Sequence, residues 1–373
     1  MNLKQAITHN LLNIPGWRTK RHIVVIESDD WGSIRMPSKE VYEQLLKAGI
    51  RVDKCHYCSN DSIASEEDLS LLFEVLNSFK DINGKPAVIT ANAVVANPDF
   101  QKIKENGFNQ YFLKRITEGV PEIKGCEHAL DLWKEGNENG CFRIQSHGRE
   151  HLNVARWMHY LNENYPETRL AFDLGVYGLS TTITSEKRKS FLPAFDFENE
   201  QEEQQANAIA VDGLSIFEHI FGYKSTSIIA PNYIWGKSLE NSVAGCGVKY
   251  IQGQQRGKYR NAKGENNKIR QRYLGRKNEC GQIDLCRNAL FEPSEDPQKD
   301  WVGSCLNEIA IAFRWHHPAI ICSHRVNYVG TINVDNRDRN LKLLTKLLGQ
   351  IKKSWPDVEF MSSDQLGDLI LGK

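Results

Sequence analysis

Apolar and amphipathic stretches alternate along the chain, and the alternation predicts its elements. Seven short apolar runs stand out: HIVVIE (22–27), PAVIT (86–90), CFRIQ (141–145), SIIA (227–230), KYIQ (249–252), AIICS (319–323) and VEFMS (358–362). Several lack polar alternation, so both of their faces are expected to be buried, as in a parallel sheet rather than a two-sheet sandwich. Helical patterns separate them. Ser65 is a cap candidate for SEEDLSLLFEVLNSF (65–79), where Leu69, Leu72, Phe73 and Leu76 share one face. Leu344, Leu347, Leu348 and Ile351 repeat that pattern in 338–353. Further helices are expected over 211–223, before the SIIA run, and over 237–247, after it. Strand then helix, repeated, predicts a wound sheet or an α/β barrel, and seven strands fit an incomplete barrel. LAFDL (170–174) reads as an extra strand or a loop insertion.

Two regions break the pattern. Residues 185–208 are acidic and polar, and read as a solvated excursion or an exposed helix turn. Residues 253–300 begin basic and end acidic, and read as a solvated loop. With no linker, repeat or low-complexity tract, the expectation is a single catalytic barrel domain over 1–373. Its core is about 20–365, with insertions at about 185–208 and 253–300.

Composition narrows the partners. The 373 residues carry a formal net charge of +0, with none of the basic excess of an extended nucleic-acid surface, so no nucleic-acid partner is expected. No run approaches the roughly 18 apolar residues of a membrane span, and the first residues lack a secretory pattern. A cytoplasmic protein without a membrane partner is the expectation, and its oligomeric state is not predicted. Nine scattered cysteines, an odd number, predict reduced thiols. Cys55 and Cys58 have zinc-site spacing, but no second close pair completes a site.

The candidate chemistry sits where strands end. In parallel α/β folds, ligands meet the C-terminal ends of strands. Asp29 and Asp30 follow the first run; His147 and His151 follow the third. Pro231, Asn232, Tyr233 and Trp235 follow the fourth, and His324 the sixth. Histidines four apart can aim two imidazoles at one ion, and a carboxylate completes the set. Two adjacent aspartates then suit two jobs, one binding the cation and the other taking a proton from water, with His324 available to protonate the leaving atom. Trp31 and Trp235 are candidate walls for a sugar ring. His316 and His317 precede a strand and read as structural.

These residues resemble the polysaccharide deacetylase superfamily, also called the NodB-homology or carbohydrate esterase family 4 group, with some similarity to YdjC-like carbohydrate deacetylases. IESDDWG resembles the first motif of that family, HGREH the second, IAPN loosely the third, and ICSHRVN the last. The resemblance implies a distorted (β/α)7 barrel with loop insertions. It also implies metal-dependent removal of an acetyl or similar acyl group from an N- or O-acetylated carbohydrate. By position Asp29 would be the general base and His324 the general acid. Asp30, His147 and His151 would hold one divalent metal ion, zinc foremost, and the backbone amide of Asn232 would help to stabilise the oxyanion. Gly148 stands where the family has Ser or Thr, and Ile229 where it has an arginine that orients the catalytic aspartate. Arg149 and Arg325 are the candidates to reach in its place, and Tyr233 reads as a shifted aromatic wall. The alternative is a non-catalytic carbohydrate-binding protein on the same barrel, or another metal-dependent amide or glycoside hydrolase.

Overall fold

The computed structural model describes residues 3–260 and 268–372. Nine parallel strands form its main sheet: β1 (Ile23–Trp31), β2 (Ile89–Ala93), β3 (Phe142–Ser146), β4 (Ser227–Ile228), β5 (Tyr250–Gln254), β6 (Ile283–Arg287), β7 (Ala289–Leu290), β8 (Ala319–His324) and β9 (Glu359–Phe360). They run in the order β6-β5-β4-β3-β2-β1-β8-β7, with β9 added beside the start of β1. The sheet curls into a nearly closed barrel surrounded by helices. Asn288 alone joins the end strands β6 and β7, and it stitches the seam. Its backbone N–H donates to Ile320 O at 3.0 Å, its Nδ2 donates to Pro318 O at 3.0 Å, and its Oδ1 accepts from the Ile320 N–H at 2.8 Å.

Alternation along the strands divides the interior. Val24, Ile26, Ile89, Ala91, Phe142, Ile144, Ala319 and Ile321 pack outward, against Leu69, Leu72, Leu344, Leu347 and other helix residues. The intervening residues enter the barrel. At its lower end these are apolar: Ile23, Val25, Tyr250, Ile283, Leu285 and Ile320, plugged by Leu366 of the helix Ser363–Ile370. One step further along the same strands they become polar: Glu27, Asn92, Gln252, Arg287 and Asp29, all buried. Polar groups are affordable there only because they bond one another, Asn92 reaching both Asp29 and Gln252 at 2.8 Å.

The predicted helices form as Glu66–Asn77, Glu200–Phe221, Lys237–Gly245 and Val334–Ser354. Ser65 and Asp68 close a capping box at the first of them. Two expectations change, and the acidic tract takes the second form expected of it, an exposed helix turn. LAFDL lies in the helix Pro166–Asp173, with Ala171 and Phe172 buried, where a helical stripe rather than strand alternation does the burying. The acidic tract opens the helix Glu200–Phe221, where Glu200, Glu202 and Glu203 face the positive end of the helix dipole. The region read as a loop contains β6, whose sequence IDLCR sends Ile283, Leu285 and Arg287 into the barrel and Asp284 and Cys286 outward, Asp284 being paired there with the buried Arg272 at 2.7 Å.

Glu308, on the helix Trp301–Arg314, accepts the Leu290 N–H at 2.8 Å and so holds β7. Burial pushes its carboxyl up to about 7 from an ordinary 4.5. Between those values the folded chain binds more protons than the unfolded one, so this group makes stability fall as pH rises through that window. Glu308→Gln keeps the acceptor and removes the charge. It is expected to raise unfolding stability by about 2 kcal/mol at pH 8 and to leave it unchanged at pH 4, measured by urea titration.

Candidate metal centre

The aspartate pair raises a geometric problem. Successive strand residues point to opposite faces, so Asp29 and Asp30 should diverge. The backbone prevents this. Asp30 adopts φ 72°, and the pairing of β1 with β2 shifts register between Ser28 and Trp31. A left-handed aspartate at a bulge is a local strain of the kind found at functional sites. Here it leaves both carboxylates lining one cavity, of about 580 Å³, at the C-terminal ends of the strands.

Asp30, His147 and His151 meet in that cavity. Asp30 Oδ1 lies 3.4 Å from His147 Nε2 and 3.2 Å from His151 Nε2. Ligand atoms at about 2.0–2.1 Å from a tetrahedral zinc are about 3.3 Å from each other, so the spacing fits a shared ion. His147 Nδ1 lies 3.0 Å from Ile229 O, which suits an N–H donor there and leaves the Nε2 lone pair free. That Nε2 is buried and without a hydrogen-bond partner. Burial lowers the His151 pKa to about 3, keeping that imidazole neutral as a metal ligand must be. Burial alone would raise the Asp30 carboxyl, but His151 and His147 beside it bring it well below its usual range. The residues present fit a divalent cation.

Asp29 is held differently. Arg287 donates to it through both ends of its fork, Nη1 to Oδ2 at 2.8 Å and Nη2 to Oδ1 at 2.6 Å, while its Nε bonds Glu27 at 2.6 Å. Burial would raise the Asp29 carboxyl; the guanidinium more than offsets this and brings it down to about 2. His324 stands opposite Asp29 in the β1–β8 register, with Nε2 at 3.7 Å from Oδ2. Its Nδ1 is bonded to Glu292. Burial would lower the imidazole, but Glu292 raises its pKa well above the ordinary value, so it is charged at neutral pH.

Arg287, Glu292 and Asn92 were absent from the sequence reading, since they lie in the stretch read as a loop or on a strand read only for its apolar face. Of the residues predicted from sequence, Asp29, Asp30, His147, His151, Asn232, Tyr233 and His324 line the cavity. The others are elsewhere. Trp31 is fully buried beneath it, edge-on to Phe142 and Trp133, with Nε1 donating to Ser28 Oγ at 3.0 Å. Trp235 is buried with Leu239 and Val243. Arg149 is bonded to Glu150 and Asp212, and Arg325 to Asp61. The arginine that holds Asp29 is thus Arg287 on β6, and neither Arg149 nor Arg325. Gly148 explains the lost hydroxyl: its φ is 98°, and a Cβ there would meet Phe195 Cζ at 3.0 Å.

Glu292, Cys322 and His324 form a second close group. Arg287 Nη1 lies 3.1 Å from Cys322 Sγ, and a guanidinium in that place opposes a second cation. Cys55 lines the cavity and Cys58 is buried behind it; a hydrogen bond from Cys58, with Arg35 nearby, lowers the Cys55 thiol to about 5.

Fold and site together define an α/β barrel with a buried Asp-His-His group able to hold a divalent metal ion. Comparison with known proteins bears on the fold. No family model matches the chain, and no curated protein does. Among solved structures, a protein described as a glycoside hydrolase/deacetylase from Parabacteroides distasonis matches with TM-score 0.53 and 10% identity, over 96% of this chain and 72% of the other. A protein described as a polysaccharide deacetylase from Mycobacterium smegmatis matches with TM-score 0.45 and 10% identity, over 96% and 93%. A CE4 family pseudoenzyme from Bacillus anthracis matches with TM-score 0.38 and 10% identity, over 93% and 66%. The likeness is distant and structural. Among the described residues no helix is long and apolar enough to cross a membrane.

Proposed function

We propose that this protein is a metal-dependent hydrolase that removes an acetyl or similar acyl group from an N- or O-acetylated carbohydrate, with zinc as the ion. One observation carries the reading. An ionised carboxylate fixed by Arg287 and an imidazolium fixed by Glu292 face each other at 3.7 Å beside a three-ligand site. A divalent cation held by Asp30, His147 and His151 would polarise the acyl carbonyl and make water more acidic. Asp29 stays ionised and accepts a proton from the attacking water. His324, charged through Glu292, gives the Nε2 proton to the departing nitrogen or oxygen, so the acyl carbon gains a hydroxyl and the sugar regains its amine or alcohol. The Asn232 backbone, which lines the same cavity, is the proposed donor to the oxyanion.

The non-catalytic alternative drew its motive from Ile229, and Arg287 removes that motive. Asp29→Asn in the zinc-loaded protein is expected to lower acetate release from acetylated sugars by about 100- to 10,000-fold while zinc binding stays as in wild type. Absence of acetate release by wild type across N- and O-acetylated mono- and oligosaccharides would overturn the reading.

A further inference from the structure

Arg35 follows the turn after β1, and its guanidinium lines the cavity although the residue is only 8% exposed. Other buried arginines of this chain have a carboxylate close by. Arg287 has Asp29, Arg272 has Asp284 at 2.7 Å, Arg325 has Asp61 at 3.0 Å and Arg337 has Asp68 at 2.9 Å. Arg35 differs. Among the described residues its side chain makes no hydrogen bond and no ion pair within 4.0 Å, and its Nη1 is buried with no partner. The face of Tyr57 lies 4.9 Å away and steadies the guanidinium without accepting its N–H groups. Asp30, Asp61 and the Cys58–Cys55 thiol pair are near enough to act on its charge, but none bonds it: Asp30 belongs to the two imidazoles, Asp61 Oδ1 to Arg325, and Cys55 is hydrogen-bonded with Cys58.

A guanidinium taken out of water without an acceptor costs several kcal/mol. A cavity that keeps one suits a ligand that brings the acceptor. We infer that Arg35 is a subsite for a carboxylate on the sugar, so that the substrate is an acidic, uronic-type carbohydrate. The inference rests on the carbohydrate reading above. One planar fork matches the two coplanar oxygens of a carboxylate. A phosphate dianion would call for a second buried cation free to bind it; the His324 imidazolium on the same wall is already bonded to Glu292 and faces Asp29, and Lys54 is 66% exposed. Ser180, Thr182 and Ser190 line the same cavity with hydroxyls suited to the remaining ring oxygens.

The test is binding rather than turnover, so that it stands or falls separately from the hydrolase reading. Methyl glucuronide and methyl glucoside differ only in a carboxylate in place of a hydroxymethyl group. Their affinities are compared by ligand-observed NMR on protein kept metal-free by chelator, so that no carboxylate–metal bond contributes. Wild type is expected to bind the glucuronide at least about tenfold more tightly, and Arg35→Gln to bring the two within about twofold of each other. The melting temperature of each variant is measured first, so that affinities are compared only between folded proteins. Arg35→Lys, which keeps the charge but loses the fork, is expected to lose most of the preference and is read if Arg35→Gln does not fold. Equal affinities in wild type, or an unchanged ratio in the variants, would overturn the inference. So would tighter binding of glucose 6-phosphate than of the glucuronide, or binding of free acetate as tight as that of the glucuronide, which would make Arg35 a site for the product.

Discussion

Arg287→Met is expected to lower hydrolysis by about 100- to 10,000-fold, the range a correctly placed general base supplies. The side chain touches no reacting atom in the proposed mechanism. It acts through Asp29, whose two oxygens it fixes at 2.6 and 2.8 Å. It is therefore a positioning residue, and its signature is the pH profile. With the guanidinium gone, the burial that would raise the Asp29 carboxyl is unopposed, and Glu27 next to it adds a like charge. Asp29 then protonates at higher pH, and the acid limb of the rate profile moves up by more than a unit. The same substitution leaves two buried carboxylates without their counterion, at a stability cost of about 3–5 kcal/mol. Arg287→Lys separates the two effects. It keeps the charge, and so the fold, but cannot span Glu27 and Asp29 together, and a loss of about 10- to 100-fold in rate is expected from misplacement alone. An unchanged pH profile in both variants would show that Asp29 does not act as the base.

His147→Ala is expected to weaken zinc binding by more than about a hundredfold, since disturbing an outer partner of a ligand already costs 10- to 100-fold. Calorimetric titration of the metal-free protein reads this directly. Acetate release falls with occupancy. The structural argument is that three ligand atoms lie within 4.8 Å of one another, and no neighbouring His, Cys or carboxylate among the described residues joins the group. The melting temperature offers an independent readout. Zinc at a hundred times its dissociation constant stabilises wild type by about 2.7 kcal/mol and should leave the variant unmoved. Retained tight zinc binding in His147→Ala would place the ion elsewhere, and with it the whole chemical account.

Local pattern reaches some of this architecture and misses the rest for definite reasons. The runs 22–27 and 141–145 are legible because β1 and β3 bury apolar residues on their outer face, whatever lies inside. IDLCR was not legible as a strand. Its outward face is short, and Arg287 at its end points into a barrel interior whose polarity no stretch of five residues reveals. Glu292 was missed with it. Trp31 and Trp235 show the opposite error: an aromatic side chain beside a motif reads as a sugar platform, but whether it faces a groove or the core depends on the elements packed against it, here Phe142 for the one and Leu239 for the other.

By itself the sequence determined an α/β fold of repeated strand and helix, wound sheet or barrel, the strand ends at which chemistry collects, and the acids and imidazoles able to hold a metal, because apolar periodicity and metal-ligand chemistry are local properties. Only the tertiary structure decided which arginine serves Asp29, that Asp30 turns to the same side as its neighbour, and that Arg35 is left without an acceptor. Those are facts about which charges meet in a buried space, and residues 258 positions apart, as Asp29 and Arg287 are, carry no local sign that they will.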